Sequence, residues 1–320
     1  MGVSRRLRYG LYVSVLVVIA LDVNAIIRRH DLDDSYYLMD QDSFAFNIYW
    51  GCSATLIHEK WLLTAAHCVA GYDGNGIATP ASVEILGIEY PVAGQPFYHP
   101  EYRSIRRLDY DERLNDIALV QLQNPVTNVE PIPLYEDADE INQQVEIWGF
   151  GHSGDGITGQ VTPCGSEPCA RQLRRGTSRV SMVSDHELFL RFRAPDDGDS
   201  SEFEGHIGNG DSGGAMMISV NGQRFLAGVG STAHFNFTDQ VFKYGSQSVY
   251  ERVSVHLNWI KLVMGNDFPS NYDGPLYQAP VQEREPLPNA ESGSGSIGLF
   301  LALLVFIRSG FSFGRSHYGG

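Results

Sequence analysis

With 320 residues, 43% of them hydrophobic, and a formal charge of −15, the chain has ample apolar material for a core. Its acidity argues against nucleic-acid binding, which needs clustered Lys and Arg, and fits a self-repelling protein outside the cell. Its four cysteines allow three pairings.

Arg5, Arg6 and Arg8 precede the apolar run Leu11–Leu21, and Val23-Asn24-Ala25 supplies small residues for cleavage, so residues 1–25 read as an export signal. The run is short for a membrane span, which needs roughly 20 apolar residues. Export implies an oxidising compartment and paired cysteines. Removing the signal, which carries a net +2, would leave a charge of −17.

From residue 45 to 260 the pattern is of short strands separated by Gly, Pro, Asn and Asp turns. Examples are Ala54–Ile57, Val83–Ile88, Ile117–Leu122, Val145–Phe150, Ser181–Val183, Leu188–Phe192, Ala215–Val220 and Phe225–Gly230. Long amphipathic helices do not alternate with them, so a parallel α/β sheet is not expected. One helix is expected at Val253–Met264, with Ser254 as its N-cap. Residues 266–296, rich in Pro and ending in Ser292-Gly293-Ser294-Gly295-Ser296, read as an extended linker. Residues 297–320 hold the apolar run Ile297–Ile307 followed by Arg308 and Arg315. This tail resembles the C-terminal sorting tails of some exported bacterial proteins and implies attachment at the membrane or cell envelope.

Three segments carry chemistry. Gly210-Asp211-Ser212-Gly213-Gly214 surrounds a serine with small residues, so that the amides of Gly210 and Ser212 could hold an oxyanion. Leu62-Leu63-Thr64-Ala65-Ala66-His67-Cys68 follows Gly51-Cys52-Ser53-Ala54-Thr55-Leu56-Ile57, and Asn115-Asp116-Ile117-Ala118-Leu119-Val120 lies between the two. In that order, His then Asp then Ser, the blocks resemble the signatures of the chymotrypsin-like (trypsin-family) serine peptidases. The resemblance covers roughly Ile26 to Met264. It implies an all-β domain over residues 26–265, built of two six-stranded antiparallel β-barrels with a C-terminal α-helix. It also implies an exported serine endopeptidase needing no cofactor, with protein or peptide substrates. Ser212 would be the nucleophile, His67 its base, and Asp116 the group that orients the imidazole. Only Asp116 opens an apolar, β-branched run; Asp109 and Asp111 read as a solvated charge cluster. The alternative is a catalytically silent homologue serving as an extracellular binding module.

Further expectations follow from the same resemblance. Cys52 would pair with Cys68, leaving Cys164 and Cys169 to close a small local loop. Ser231 would lie on the strand that meets substrate backbone and could touch Asp116. A new terminus at Ile26, freed by signal cleavage after Ala25, would set its ammonium beside Asp211; it lies 41 residues before His67. Arg28 and Arg29 stand where the family has glycines. His206, six residues before the serine, would form the base of the primary pocket, with Ala233 and Ser248 on its walls. An imidazole there does not neutralise Arg or Lys, and only if protonated would it favour an acidic side chain. The acidic groups Asp31, Asp33, Asp34 and Asp196, Asp197, Asp199, Glu202, Glu204 lack an EF-hand pattern and read as solvated loops, and no metal is expected. Asn236-Phe237-Thr238 is a glycosylation sequon.

Overall fold

The computed structural model describes residues 25–39, 45–48, 51–70, 81–106, 111–161, 172–234 and 242–268. The signal segment before Ala25, Asp109, Cys164, Cys169, the sequon and everything beyond Phe268 lie outside them.

Alternation along the chain builds the C-terminal barrel. Arg174–Val183 buries every second residue over most of its length, turning one face to a core and the other outward. Six strands close in the order Gln144–Gly149, Arg174–Val183, Glu187–Arg191, Gln247–Arg252, Gln223–His234, Ala215–Val220. Ile147, Val180, Leu188, Leu190, Met216, Ile218 and Tyr250 fill one of its cores. A bulge between Gly230 and Thr232 takes Ser231 out of register with the strand Gln247–Arg252.

In the N-terminal half, five strands pair in the order Ala45–Ile48, Cys52–His58, Trp61–Thr64, Ala118–Gln121, Phe97–Tyr98. The hairpin Ser82–Ile85/Ile88–Pro91 adds Val83, Ile85 and Tyr90 to the same core, and Val92 bridges to Leu122. The strand expected across Val83–Ile88 is therefore broken. Leu86 and Gly87 both take positive φ, 49° and 77°, the geometry of a tight hairpin turn. The described residues are mostly β, with one closed six-stranded barrel, a five-stranded sheet and one long helix at the C-terminal end.

That helix has the expected bounds, Val253–Met264. Leu257, Trp259, Ile260 and Met264 enter a third core shared by Ile57, Leu63 and Leu119 of the first half and Trp148, Met217 and Leu226 of the second. Each fully buried Leu or Ile contributes on the order of 2 kcal/mol. Its N-cap is Arg252, without a side-chain cap, rather than Ser254. The Ser254 hydroxyl instead donates to Glu140 Oε1 at 2.6 Å, beside the Arg252–Glu140 ion pair, so Glu140 anchors the helix start.

Two of the acidic residues read as solvated are not. Asp34 pairs with the buried Arg174. Glu204 is fully buried and accepts from Ser201 N and Ser178 Oγ. Cys52 and Cys68 form the expected disulfide, with Cα atoms 6.1 Å apart.

Candidate active site

His67 lies on the short helix Ala66–Ala70, directly after the strand Trp61–Thr64. The neighbouring strand Ala118–Gln121 pairs Ala118 with Thr64, which brings Asp116 beside the helix. Asn115, just before it, turns the chain with φ 52°, a conformation Asn tolerates better than most residues. His67 Nδ1 lies 2.7 Å from Asp116 Oδ2, and the His67 amide donates to Asp116 Oδ1 at 2.8 Å. The Ser231 hydroxyl donates to Asp116 Oδ2 at 2.6 Å, and the Asp116 amide donates to Glu251 Oε2 at 2.9 Å. Burial pushes the Asp116 carboxyl up. Attraction to His67 and Arg113, with hydrogen bonds from His67 and Ser231, outweighs this and holds it below its usual value.

The Ser212 turn is seated on the strand that carries Cys52. The Ser53 amide donates to Ser212 O at 2.6 Å, and the Gly213 amide to Gly230 O at 2.7 Å. Gly213 has φ 78°, and a Cβ there would stand 2.1 Å from Ser53 O, so only glycine fits. Among the described residues the amides of Gly210 and Ser212 donate to no protein acceptor. Ser212 and His67 are both half-buried, and no hydrogen bond joins Ser212 Oγ to the imidazole among the described contacts.

Arg113 stands over that imidazole. Its Nη1 lies 3.4 Å from Nδ1 and 3.5 Å from Nε2, and donates to the Ser231 carbonyl. Ser231 O, left out of the barrel ladder by the bulge, is thus taken by a guanidinium from the strand Asp111–Leu114.

Asp211 is buried and gathers three amides. Gly151 N and Gly208 N donate at 2.7 Å each, and Ile26 N donates at 3.4 Å. Ile27–Arg28 runs as a strand between Gly154–Asp155 and Gly205–His206, delivering Ile26 to this point. The Ile26 side chain fits against two glycines: Cβ atoms at Gly205 and Gly176 would meet its Cγ2 at 2.9 and 3.2 Å. Arg28 and Arg29 find partners of their own beside this contact. Arg28 reaches Leu32 O at 2.7 Å, and Arg29 pairs with Asp31 and reaches Ser201 O at 3.2 Å.

His206 is fully buried near Phe192 and Phe242, with Nδ1 2.6 Å from Ile207 O. Ser248 Oγ accepts from Ile207 N at 3.1 Å, and Ala233 pairs with Ser248 on the neighbouring strand. The three expected pocket residues therefore lie together. Desolvation lowers the His206 pKa from 6.5 to about 4, so the ring is neutral at neutral pH and the protonated form that an acidic-side-chain preference required is absent there. Stability should respond accordingly. The unfolded imidazole takes a proton near 6.5 and the folded one only near 4, so stability is fully present above 6.5 and is lost as pH falls through that window. The loss is about 3 kcal/mol for such a shift. Urea midpoints measured between these pH values should fall, and His206→Gln should flatten the slope.

Three features went unread in the sequence. Arg113 stands in a charged stretch that looks like surface. Glu251 is buried at a strand end, where burial raises its pKa to about 8. Gly149 and Gly151 make room for Asp211: a Cβ at Gly149 would lie 2.0 Å from its Oδ1. An ionisable residue inside an apolar strand, as in Val249-Tyr250-Glu251, was the one available signal.

The Trypsin family profile matches residues 39–260. The chain is 29% identical to Trypsin-1 of Astacus astacus, over 71% of this chain and 93% of that one. It is 28% identical to a tryptase of Mus musculus, over 70% and 83% of the two chains. Serine protease SP24D of Anopheles gambiae shares 29% identity, over 67% and 72%. Among solved structures, neuropsin, a serine protease expressed in the limbic system of mouse brain, matches with a TM-score of 0.49 at 22% identity, covering 71% of this chain and 98% of that one. The chain belongs to the trypsin family.

Proposed function

We propose that the chain is an exported serine endopeptidase that cleaves protein or peptide substrates through Ser212, His67 and Asp116. The observation that carries this reading is the 2.7 Å contact of His67 Nδ1 with a buried carboxylate, on an imidazole whose Nε2 faces away from that carboxylate. Asp116 fixes the tautomer with Nδ1 protonated, which leaves Nε2 as the base. Ser212 Oγ attacks the scissile carbonyl carbon and passes its proton to Nε2. The resulting oxyanion is held by the amides of Gly210 and Ser212. The imidazolium, steadied by Asp116, then protonates the leaving amine, and water activated by His67 resolves the acyl-enzyme. A fluorophosphonate probe tests the assignment: it should label Ser212 alone, as read by peptide mapping. A folded chain that resists the probe would be the silent binding module instead.

In this reading Arg113 must withdraw before substrate backbone can use the Ser231 carbonyl. Arg113→Ala should raise kcat/KM on neutral peptides by roughly tenfold, about the worth of one charge-assisted hydrogen bond. A fall of similar size would mean that Arg113 holds substrate rather than excluding it.

The same reading makes cleavage after Ala25 the activating step. In the uncut chain Ile26 has φ 59°, a conformation strained for a β-branched residue. Cutting the bond before it removes that constraint and turns the amide facing Asp211 into an ammonium. N-terminal sequencing of active protein should begin at Ile26, and another start would end the hypothesis. With neutral His206 at its base and Ala233 and Ser248 on its walls, the pocket should not prefer Arg or Lys, which a panel of peptides varied at the residue before the cut will test. Residues 297–320 would attach the enzyme to the membrane or cell envelope.

A further inference from the structure

Next to Asp116, whose amide donates to Glu251 Oε2, lies a second cluster of ionisable groups that the hydrolytic reading does not use. His186 sits in the turn between Arg174–Val183 and Glu187–Arg191, Glu251 at the end of Gln247–Arg252, and His256 in the first turn of the final helix. Their ligand atoms all lie within 4.8 Å of one another. His256 Nε2 is 2.6 Å from Glu251 Oε1, and the His186 and His256 rings lie 5.9 Å apart, 28° from parallel.

Three observations favour an ion here. First, the donor set is two imidazoles and one carboxylate, a combination that suits zinc with its fourth position left for water. Second, Glu251 is fully buried and, among the described residues, has no Lys or Arg partner, so only a proton or a bound cation can offset its charge. The nearby arginines are engaged elsewhere, Arg252 with Glu140 and Arg113 with Ser231 O. Third, the scaffold is held from several sides. The Arg252 amide donates to His186 O at 2.7 Å, the Asp116 amide holds Glu251 Oε2, and His99 packs edge-on against His256 at 5.1 Å. His186 alone of the three is not buried, which gives an ion a way in.

We infer that His186, Glu251 and His256 form a binding site for a divalent transition metal, zinc by preference, next to the Asp116 side of the active site. Zinc with bonds of about 2.0–2.1 Å sets tetrahedral ligands roughly 3.3 Å apart, so His256 and Glu251 must open by less than about 1 Å to admit it. The ion would replace the proton now shared between them. The ligands escaped notice in the sequence because they are spread over positions 186, 251 and 256 with no motif spacing.

The test uses Ser212→Ala protein, which does not digest itself and whose metal binding is independent of whether the chain cleaves peptides. Zinc chloride is titrated by calorimetry, and cobalt chloride is followed by visible absorption. The expected result is one saturable site of micromolar or tighter affinity and a four-coordinate cobalt spectrum. His186→Ala, a change at an unburied turn that should leave the fold intact by circular dichroism, and His256→Ala should each weaken binding at least a hundredfold. Absence of saturable binding, or binding unchanged in folded His186→Ala, would overturn the inference.

Discussion

Ser212→Ala should lower peptide hydrolysis by about a millionfold, the loss typical when the nucleophile of a triad acting as a unit is removed. The expectation follows from how little else in the site can attack a carbonyl. His67 is bound to Asp116 through Nδ1, and Asp116 is further held by Ser231, so the imidazole is fitted to receive a proton and not to act as a nucleophile. Because Ser212 is half-buried and its fixed contacts run through its backbone to Ser53, losing the hydroxyl should leave thermal stability within about 0.5 kcal/mol of wild type. Kinetics together with a melting curve therefore separate chemistry from folding. Hydrolysis unchanged in the variant would remove Ser212 from the mechanism.

Asp211→Asn should behave differently, losing both activity and stability. The carboxylate accepts from Gly151, Gly208 and Ile26, and it sits between the two residues whose amides face the proposed oxyanion. Asn keeps the shape but turns an NH2 group toward donors, leaving buried amides without an acceptor and the Ile26 terminus without a counter-charge. Breaking one side of such a buried pair costs about 3–5 kcal/mol, or two to four decades in kcat/KM if the cost falls on the active conformation. The decisive measurement is kcat and KM on protein shown to begin at Ile26, with the loss expected mainly in kcat. Full activity in Asp211→Asn would separate the buried terminus from catalysis.

Local regularity decided what could be read in advance. The final helix shows its apolar spacing over three turns, and Ala215–Val220 opens on the unbroken apolar run Ala215–Ile218 between turn residues, so both were found with their bounds. His67, Asp116 and Ser212 stood out because each is embedded in small or apolar neighbours unusual for a polar residue. The break at Leu86 was hidden because Leu at positive φ carries no turn signal of its own; Gly87 beside it permits the turn. Arg113 and Glu204 were beyond reach for a different reason. Their burial depends on partners 118 and 26 positions away, a fact of tertiary packing that no local pattern encodes. Ser254 fits the capping rule, but Glu140, more than a hundred positions earlier in the chain, claims its hydroxyl.

The short ribbon Ile27–Arg28 joins the proposed beginning of the processed protein to His206, the proposed base of the selectivity pocket, since Ile27 is paired with it. If a proposed cut one position early or late drew its new terminus to Asp211, the ribbon would slip by one residue and send alternate side chains to opposite faces. Both the seat now filled by Ile26 and the lining under the bound substrate would then change together. A preparation with ragged ends should accordingly behave as a mixture differing in which peptides it cuts as well as in how fast, making fidelity of leader removal a determinant of substrate choice.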